Sequence, residues 1–287
     1  MAERPSDLSP PCMICGARTV PLYSKAHHQF FKCRACGFVA GRSTSNANLA
    51  QAFDEYEPAY RQYLAATPAD AANHAALLAW IERFVRVDDP AISVLDVGAG
   101  SGKFLRYIRA NRRCVTAGIE PSEALFSAFD LGQLGVVNSA LPLFAGAVPD
   151  QFDVVTAIDV IEHVEDPVEF AMCLRTITKP GGFVFLSTPD TGSLTARLMG
   201  RHWHHYNRYH LSLFNMSTLG RLAEAAGFVV AASGHHGKQV PLSYLRNYVR
   251  DFLLRTRTKK APSSRDQPTT IPVNLFDIVS IVWQRPR

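Results

Sequence analysis

At 287 residues, 47% of them apolar, the chain can bury the core of one large α/β domain plus a small appendage, which excludes general disorder. Thirty basic against 25 acidic residues leave a formal charge of +5, too mild by itself to indicate a nucleic-acid binder. No apolar targeting segment precedes Pro11 and no apolar run approaches the ~18 residues of a membrane span, so a cytoplasmic chain without integral membrane association is expected.

Two CxxC pairs open the chain, Cys12/Cys15 and Cys33/Cys36, separated by 17 residues and each followed by glycine (Gly16, Gly37). Two thiols three positions apart can grip one face of a metal ion, and glycine next in line permits a tight positive-φ turn that brings backbone amides toward the sulfurs. Four thiolates saturate a tetrahedral Zn²⁺ and leave no place for a reactive water, so a closed structural zinc ribbon is predicted over 1–45. The alternative is a redox dithiol. His27 and His28, between the pairs, are expected at the surface. Cys114 and Cys173 read as small core residues.

A connector of small turn-forming residues follows (Gly41 to Asn48), then helices over 49–63 and 69–87. The second shows helical spacing at Leu77, Leu78, Ile81, Phe84 and Val85. Beyond it, apolar runs Ile92–Val97, Cys114–Glu120, Phe152–Asp159 and Phe183–Ser187 alternate with amphipathic stretches Gly102–Ala110, Ser122–Leu131 and Pro167–Ile177. Such alternation predicts a doubly wound, mostly parallel sheet of the Rossmann-like kind. Phe228–Ala232 and Asp277–Trp283 read as two further strands.

The segment Val94 to Leu105, VLDVGAGSGKFL, runs from an apolar strand through Gly98, Gly100 and Gly102 into a helix. Free amides and a positive dipole end at a helix start suit a polar ligand. A dinucleotide site would place a small residue where Lys103 stands, so a pyrophosphate reader is disfavoured. The next strand ends in Glu120 and Pro121, an acid about 20 residues after the loop, suited to hydrogen bonds with ribose hydroxyls.

These blocks, with FDVVTAIDVIEHVEDP (Phe152 to Pro167) and ITKPGGFVFLSTP (Ile177 to Pro189), resemble class I S-adenosylmethionine-dependent methyltransferases in order and separation across roughly residues 50–287. The resemblance implies S-adenosyl-L-methionine as cofactor. Asp96, Gly98, Gly100 and Gly102 would cradle its methionine and ribose parts, and Glu120 would hold the ribose. Asp159 and Val160 would border the methionine end. The segment NSALPL lacks the acid that many relatives set near the adenine amino group, leaving Ser139, Ala140 and Leu141 for that contact. It also implies a division into the ribbon, a helical cap over 46–90, and a methyltransferase domain over 91–287 with an acceptor-side insertion (190–215) and a basic segment (241–270). CxxC pairs followed by FDEYEPAYRQYL (Phe53 to Leu64) look like bacterial sugar, cell-surface or natural-product methyltransferases. A small-molecule or glycan acceptor, methylated on oxygen, is therefore expected.

On the acceptor side, Ala196 to Phe214 concentrates His202, His204, His205 and His210 with Trp203, Tyr206 and Tyr209. His210, in a block resembling HL-x-x-F of relatives, is the first candidate base, with His205 and His163 next. With no acid or thiol beside this cluster in sequence, a second metal site is not expected there. Arg246 to Arg265 holds seven basic residues against one acid, Asp251. Such a run is a solvated face, or it attracts a phosphate-bearing acceptor or an anionic membrane surface for peripheral contact. Two rival functions remain: an rRNA or tRNA methyltransferase whose ribbon binds RNA, and a non-catalytic cofactor-binding interaction protein. The ribbon's few charges weigh against RNA, and the intact acids Asp96 and Glu120 weigh against the second.

Overall fold

The computed structural model describes residues 9–25, 28–43, 68–242 and 269–287. The helix predicted over 49–63 and the basic run Arg246 to Arg265 lie outside them. None of the described helices is long and apolar enough to cross a membrane.

Three antiparallel strands carry the cysteine region: β1 (Thr19–Lys25), β2 (His28–Cys33) and β3 (Val39–Ser43). Helix α1 (Pro68–Ile81) precedes the main domain. It ends earlier than its apolar spacing predicts, because residues 83 and 84 tighten into i→i+3 bonds, Arg83 N–H to Trp80 O and Phe84 N–H to Ile81 O. That turn drives the Phe84 ring against Phe183 and Phe185.

The domain then runs β4 (Ser93–Val97), α2 (Lys103–Asn111), β5 (Val115–Ile119), α3 (Glu123–Ala128), β6 (Val136–Val137), α4 (Leu141–Ala147), β7 (Phe152–Ile158), α5 (Pro167–Ile177) and β8 (Thr178–Pro189). After β8 come α6 (Leu194–Met199), β9 (Ser212–Leu213), α7 (Met216–Ala225), β10 (Val229–His235), β11 (Lys238–Pro241), β12 (Thr270–Val273) and β13 (Ile278–Gln284). Helix α3 is shorter than expected because Asp130 turns left-handed (φ 49°) and starts a separate 3₁₀ turn. Strand β8 is longer than expected, since the Lys-Pro-Gly-Gly segment bulges out between the pairs Phe152↔Thr178 and Val154↔Phe183.

Seven strands form one sheet in the order β10-β13-β8-β7-β4-β5-β6, and β13 alone runs against its neighbours. The chain leaves β4 toward β5 and β6, then crosses back to β7. The carboxyl ends of β4 and β7 therefore flank a topological switch point, where open α/β sheets bind ligands.

Alternate residues along these strands supply two cores, as the period of two requires. Val94, Val154, Phe185 and Val282 pack with α1 and α2, through Leu78, Ile81, Phe104 and Ile108. Leu95, Val155, Val184 and Leu186 pack with α5 and α7, through Phe170, Leu174, Leu219 and Leu222. Cys12, Cys33, Cys36, Phe38 and Ala40 belong to that second core, so the cysteine region is welded to the domain rather than tethered. Its sheet is completed by a strand from the domain, with β3 pairing β9 through Val39↔Leu213 and Ala40↔Ser212. His28, expected at the surface, is buried (3% exposed): it starts β2, and its ring packs on Phe30 under this junction.

Candidate functional site

The strand ending in Asp96–Val97 turns at Gly98 with φ 71°, a conformation that disfavours any side chain. A Cβ there would also meet Val160 Cγ2 at 2.7 Å, so the loop leaves no room at its start. Gly102, also left-handed, caps α2. The long Lys103 is accommodated because its ammonium turns to α1 and pairs with Asp70 Oδ2 at 2.9 Å.

Asp96 and Glu120 end adjacent strands and are each 6% exposed. Burial, with the neighbouring Glu120 charge added, pushes Asp96 up to about 7, against the hydrogen bond that Thr156 Oγ1 donates to its Oδ1 (2.7 Å). Glu120 is raised by burial and partly restored by backbone donors: Gly100 N–H to Oε2 (2.8 Å) and Ser122 N–H to Oε1 (2.9 Å). Each of its oxygens keeps a further lone pair, so the carboxylate can accept from two hydroxyls. Pro121 follows it at the surface. Asn138, not singled out from sequence, donates to the Glu120 carbonyl at 3.0 Å. Ser139 and Ala140 lie at the start of α4, where Ser139 Oγ donates to Ala140 O, and Leu141 is buried as the first helical residue.

Val160 covers the glycine loop, but the Asp159 carboxylate is held elsewhere. Its Oδ1 accepts from Ser187 Oγ (2.9 Å) and its Oδ2 pairs with Lys238 Nζ (2.7 Å) on β11. Although burial alone would raise Asp159, Lys238 holds it below the ordinary carboxylate value.

The expected base candidates come together beyond β7. His163 Nδ1 lies 2.9 Å from Tyr209 O, and His210 Nδ1 2.9 Å from His205 O. A carbonyl only accepts, so each Nδ1 carries the proton and Nε2 is the unprotonated nitrogen of each ring. The rings of His163 and His210 meet edge-on at 4.9 Å, and His205 stacks on His210 at 5.6 Å. Burial pushes His210 down to about 3 and lowers His163 and His205 as well, so all three are neutral near pH 7.

Glu162 sits beside this pair, 2% exposed, accepting from Thr188 Oγ1 at 2.9 Å. Burial and the Asp159 charge push it up to about 8. Donor atoms of Glu162, His163 and His210 all lie within 4.8 Å of one another. Glu162 was missed because nothing local separates it from the exposed Glu165 or from Asp166, which caps α5. Trp203 anchors the histidine loop, fully buried with its ring against Tyr206, which in turn packs on Phe30 of β2. A second acid, Asp277, arrives beside His204 and His205 from just before β13.

In the cysteine region the Sγ atoms of Cys12 and Cys36 are 3.5 Å apart, those of Cys15 and Cys33 3.6 Å, and all four lie within 4.8 Å of one another. Four thiolates around a tetrahedral zinc at ~2.3 Å stand about 3.8 Å apart, so the set fits that ion. Each pair closes the same knuckle: Gly16 N–H to Cys12 O (2.8 Å) and Gly37 N–H to Cys33 O (2.9 Å).

Comparison with known proteins agrees with this geometry. A family model described as "Methyltransferase domain" matches residues 69–233. The chain is 39% identical over 115 residues to a ubiquinone biosynthesis O-methyltransferase of Azotobacter vinelandii, covering 38% of this chain and 48% of that protein. It is 32% identical over 168 residues to one from Pseudomonas fluorescens strain Pf-5, covering 53% and 69%. The chain thus spans about half the length of several of the curated relatives it matches. Among solved structures, a 1,6-didemethyltoxoflavin N1-methyltransferase of Burkholderia thailandensis superposes with TM-score 0.51 at 14% identity, covering 93% of this chain and 100% of that one. The [4+2]-cyclase SpnF superposes with TM-score 0.56 at 13% identity, covering 83% and 95%. These two share the fold, and a cyclase among them leaves the reaction to be argued from the site.

Proposed function

Because the chain belongs to the methyltransferase-domain family, we propose that it binds S-adenosyl-L-methionine and methylates an oxygen of a small hydroxylated acceptor. The observation that carries this reading is the pair Asp96 and Glu120, buried at the ends of adjacent strands with the positive-φ glycine loop between them. Asp96 would meet the ammonium of the methionine part, Gly98 to Gly102 would let the backbone approach it, and Glu120 would accept from both ribose hydroxyls. Ser139, Ala140 and Leu141 would border the adenine. When bound, the cofactor supplies a methyl group on a sulfonium, with a neutral thioether as the leaving group.

The acceptor's hydroxyl would then lie at the carboxyl end of β7. That hydroxyl would donate its one proton to the Glu162 carboxylate, while His210 Nε2, steadied by the edge-on His163 ring, would accept from another donor of the acceptor and hold it in line. His210 is too weak a base at neutral pH to keep the proton, so Glu162 replaces it as the proton's destination, with His163 and His210 as positioning groups. His205 would support His210 by stacking. The four cysteines would hold a structural Zn²⁺.

The relatives are named for ubiquinone biosynthesis, which favours a small-molecule oxygen acceptor over RNA. The glycan-type or phosphate-bearing acceptor rests on the sequence alone, as FDEYEPAYRQYL and most of the basic segment lie outside the described residues. Incubating the protein with methyl-labelled cofactor and fractionated cell extract, followed by mass spectrometry, tests the reading. A labelled small molecule bearing an O-methyl group is expected. Label in RNA, or none with S-adenosylhomocysteine bound, would overturn it.

A further inference from the structure

The two adjacent histidines of the 200–214 loop meet an acid that the sequence gives no reason to associate with them. Asp277 stands just ahead of β13, and the antiparallel insertion of that strand beside β8 carries it to the loop. Donor atoms of His204, His205 and Asp277 all lie within 4.8 Å of one another. The Asp277 carboxylate is 6% exposed, and among the described residues its ionisable partner within 4.0 Å is His205 Nε2, at 3.9 Å. An ionised carboxylate that deep needs a counter-charge, and a neutral imidazole does not provide one. Burial raises the Asp277 carboxyl above its ordinary value, only partly offset by the Trp203 side chain and by the charge of Lys238, whose close ion pair is with Asp159 at 2.7 Å. Asp190, also buried, adds a further acid, paired with His235 at 2.8 Å. A bound cation would give the buried Asp277 carboxylate a counter-charge that a neutral imidazole does not.

We infer that His204, His205 and Asp277 form a second metal site, which takes a divalent first-row ion of the zinc or iron class. Two imidazoles and one carboxylate are a donor set suited to such ions, and three protein ligands leave positions open for water or another oxygen donor. The site differs from the four-thiolate set, which is closed. It also differs from Glu162, His163 and His210, where Glu162 is already engaged by Thr188. Since His205 stacks on His210, an ion there would sit at the edge of the acceptor crevice, and an oxygen of the acceptor could complete its coordination. The inference concerns ion binding and does not depend on methyl transfer.

Cobalt(II) separates the two kinds of site, because thiolate coordination gives sulfur-to-metal charge-transfer absorption that imidazole and carboxylate ligands lack. The full-length protein, equilibrated with Co²⁺ and freed of excess ion, should hold about two equivalents by elemental analysis, one without thiolate absorption. Asp277→Asn, near-isosteric but unable to act as an anionic ligand, should lose that second equivalent and keep the first, and so should His205→Ala. Calorimetry with S-adenosylhomocysteine serves as the check on folding, and His204→Gln stands in should either variant fail it. A single thiolate-bound equivalent in the parent protein would overturn the inference. So would loss of the second equivalent in Glu162→Gln together with its retention in Asp277→Asn, which would place the ion in the neighbouring cluster.

Discussion

Gly41 of β3 lies against His210 so closely that a Cβ added to it would meet the His210 carbonyl oxygen at 2.6 Å and His28 Nε2 at 2.7 Å. Its N–H also donates to Leu211 O at 2.8 Å, while Leu211 N–H donates to Glu162 O at 2.7 Å. The cysteine region thus bears on the proposed acceptor crevice through two backbone bonds. Gly41→Val should strain this junction by ~1–3 kcal/mol. It should raise the acceptor KM several-fold with S-adenosylhomocysteine affinity little changed. Equal weakening of both, measured by steady-state kinetics and calorimetry, would show that the junction does not act selectively.

Elemental analysis should find about one zinc per chain held by sulfur, and Cys33→Ser/Cys36→Ser should lose it. Gly37 packs on Asn215, whose side chain caps α7, and Lys25 Nζ donates to Tyr206 O at 2.7 Å. Losing the ion should therefore loosen the histidine loop before the glycine loop. Hydrogen exchange should rise first over residues 200–214, and exchange rising first over 94–105 would contradict that order.

Glu120→Ala removes the acceptor of two proposed charge-assisted hydrogen bonds and also strands the N–H groups of Gly100 and Ser122. A loss on the order of 2–4 kcal/mol in S-adenosylhomocysteine binding is expected. Unchanged affinity by calorimetry would remove Glu120 from the ribose.

Glu162 takes a proton only as the carboxylate, so with its carboxyl pushed up to about 8, kcat should climb with pH through that value. Glu162→Gln should lower turnover by ~10²–10⁴-fold and abolish the climb. His210, at about 3, should add no limb near neutrality. His210→Gln should cost less than Glu162→Gln and leave the pH profile in place. The reverse ranking would return the base to His210.

Asp96 and Glu162 also link pH to stability. Their folded values are raised from 3.8 to about 7 and from 4.5 to about 8. The stability they contribute is full below the ordinary carboxylate values and is lost as pH rises through about 7 and 8. The thermal midpoint of the cofactor-free protein should fall from about pH 5 to about pH 8. S-adenosylhomocysteine should reduce the fall, since its ammonium would pair with ionised Asp96. A flat profile in differential scanning calorimetry would contradict both shifts.

The Rossmann-like sheet and the cysteine quartet were legible in sequence because each is written in local pattern. Val94 to Leu105 carries strand, turn and helix start within twelve positions, and each CxxC declares its own knuckle. What the pattern could not show depends on long-range pairing. β9 is two residues long and exists as a strand because β3 lies beside it. Lys238 reaches Asp159, and Asp277 reaches His205, across more than 70 positions. His28 reads as a polar residue between metal-binding pairs, yet the β3–β9 junction closes over it. Glu162 differs from Glu165 only in where the turn after β7 points it.

The placement of β13 has a consequence for how the protein is made. The edge of β8 is covered by a strand synthesised long after it, and β10, made earlier than β13, pairs with β13 rather than with β8. Until β13 emerges, a growing chain holds β8 as an open edge of unpaired backbone groups flanked by apolar side chains, the arrangement most prone to pair with another chain. The seam beside the sheet's β10 edge is therefore the last part to close. A ribosome stalled before residue 278 would release a species whose glycine loop could already be formed, but whose exposed β8 edge makes it a substrate for chaperones and proteases.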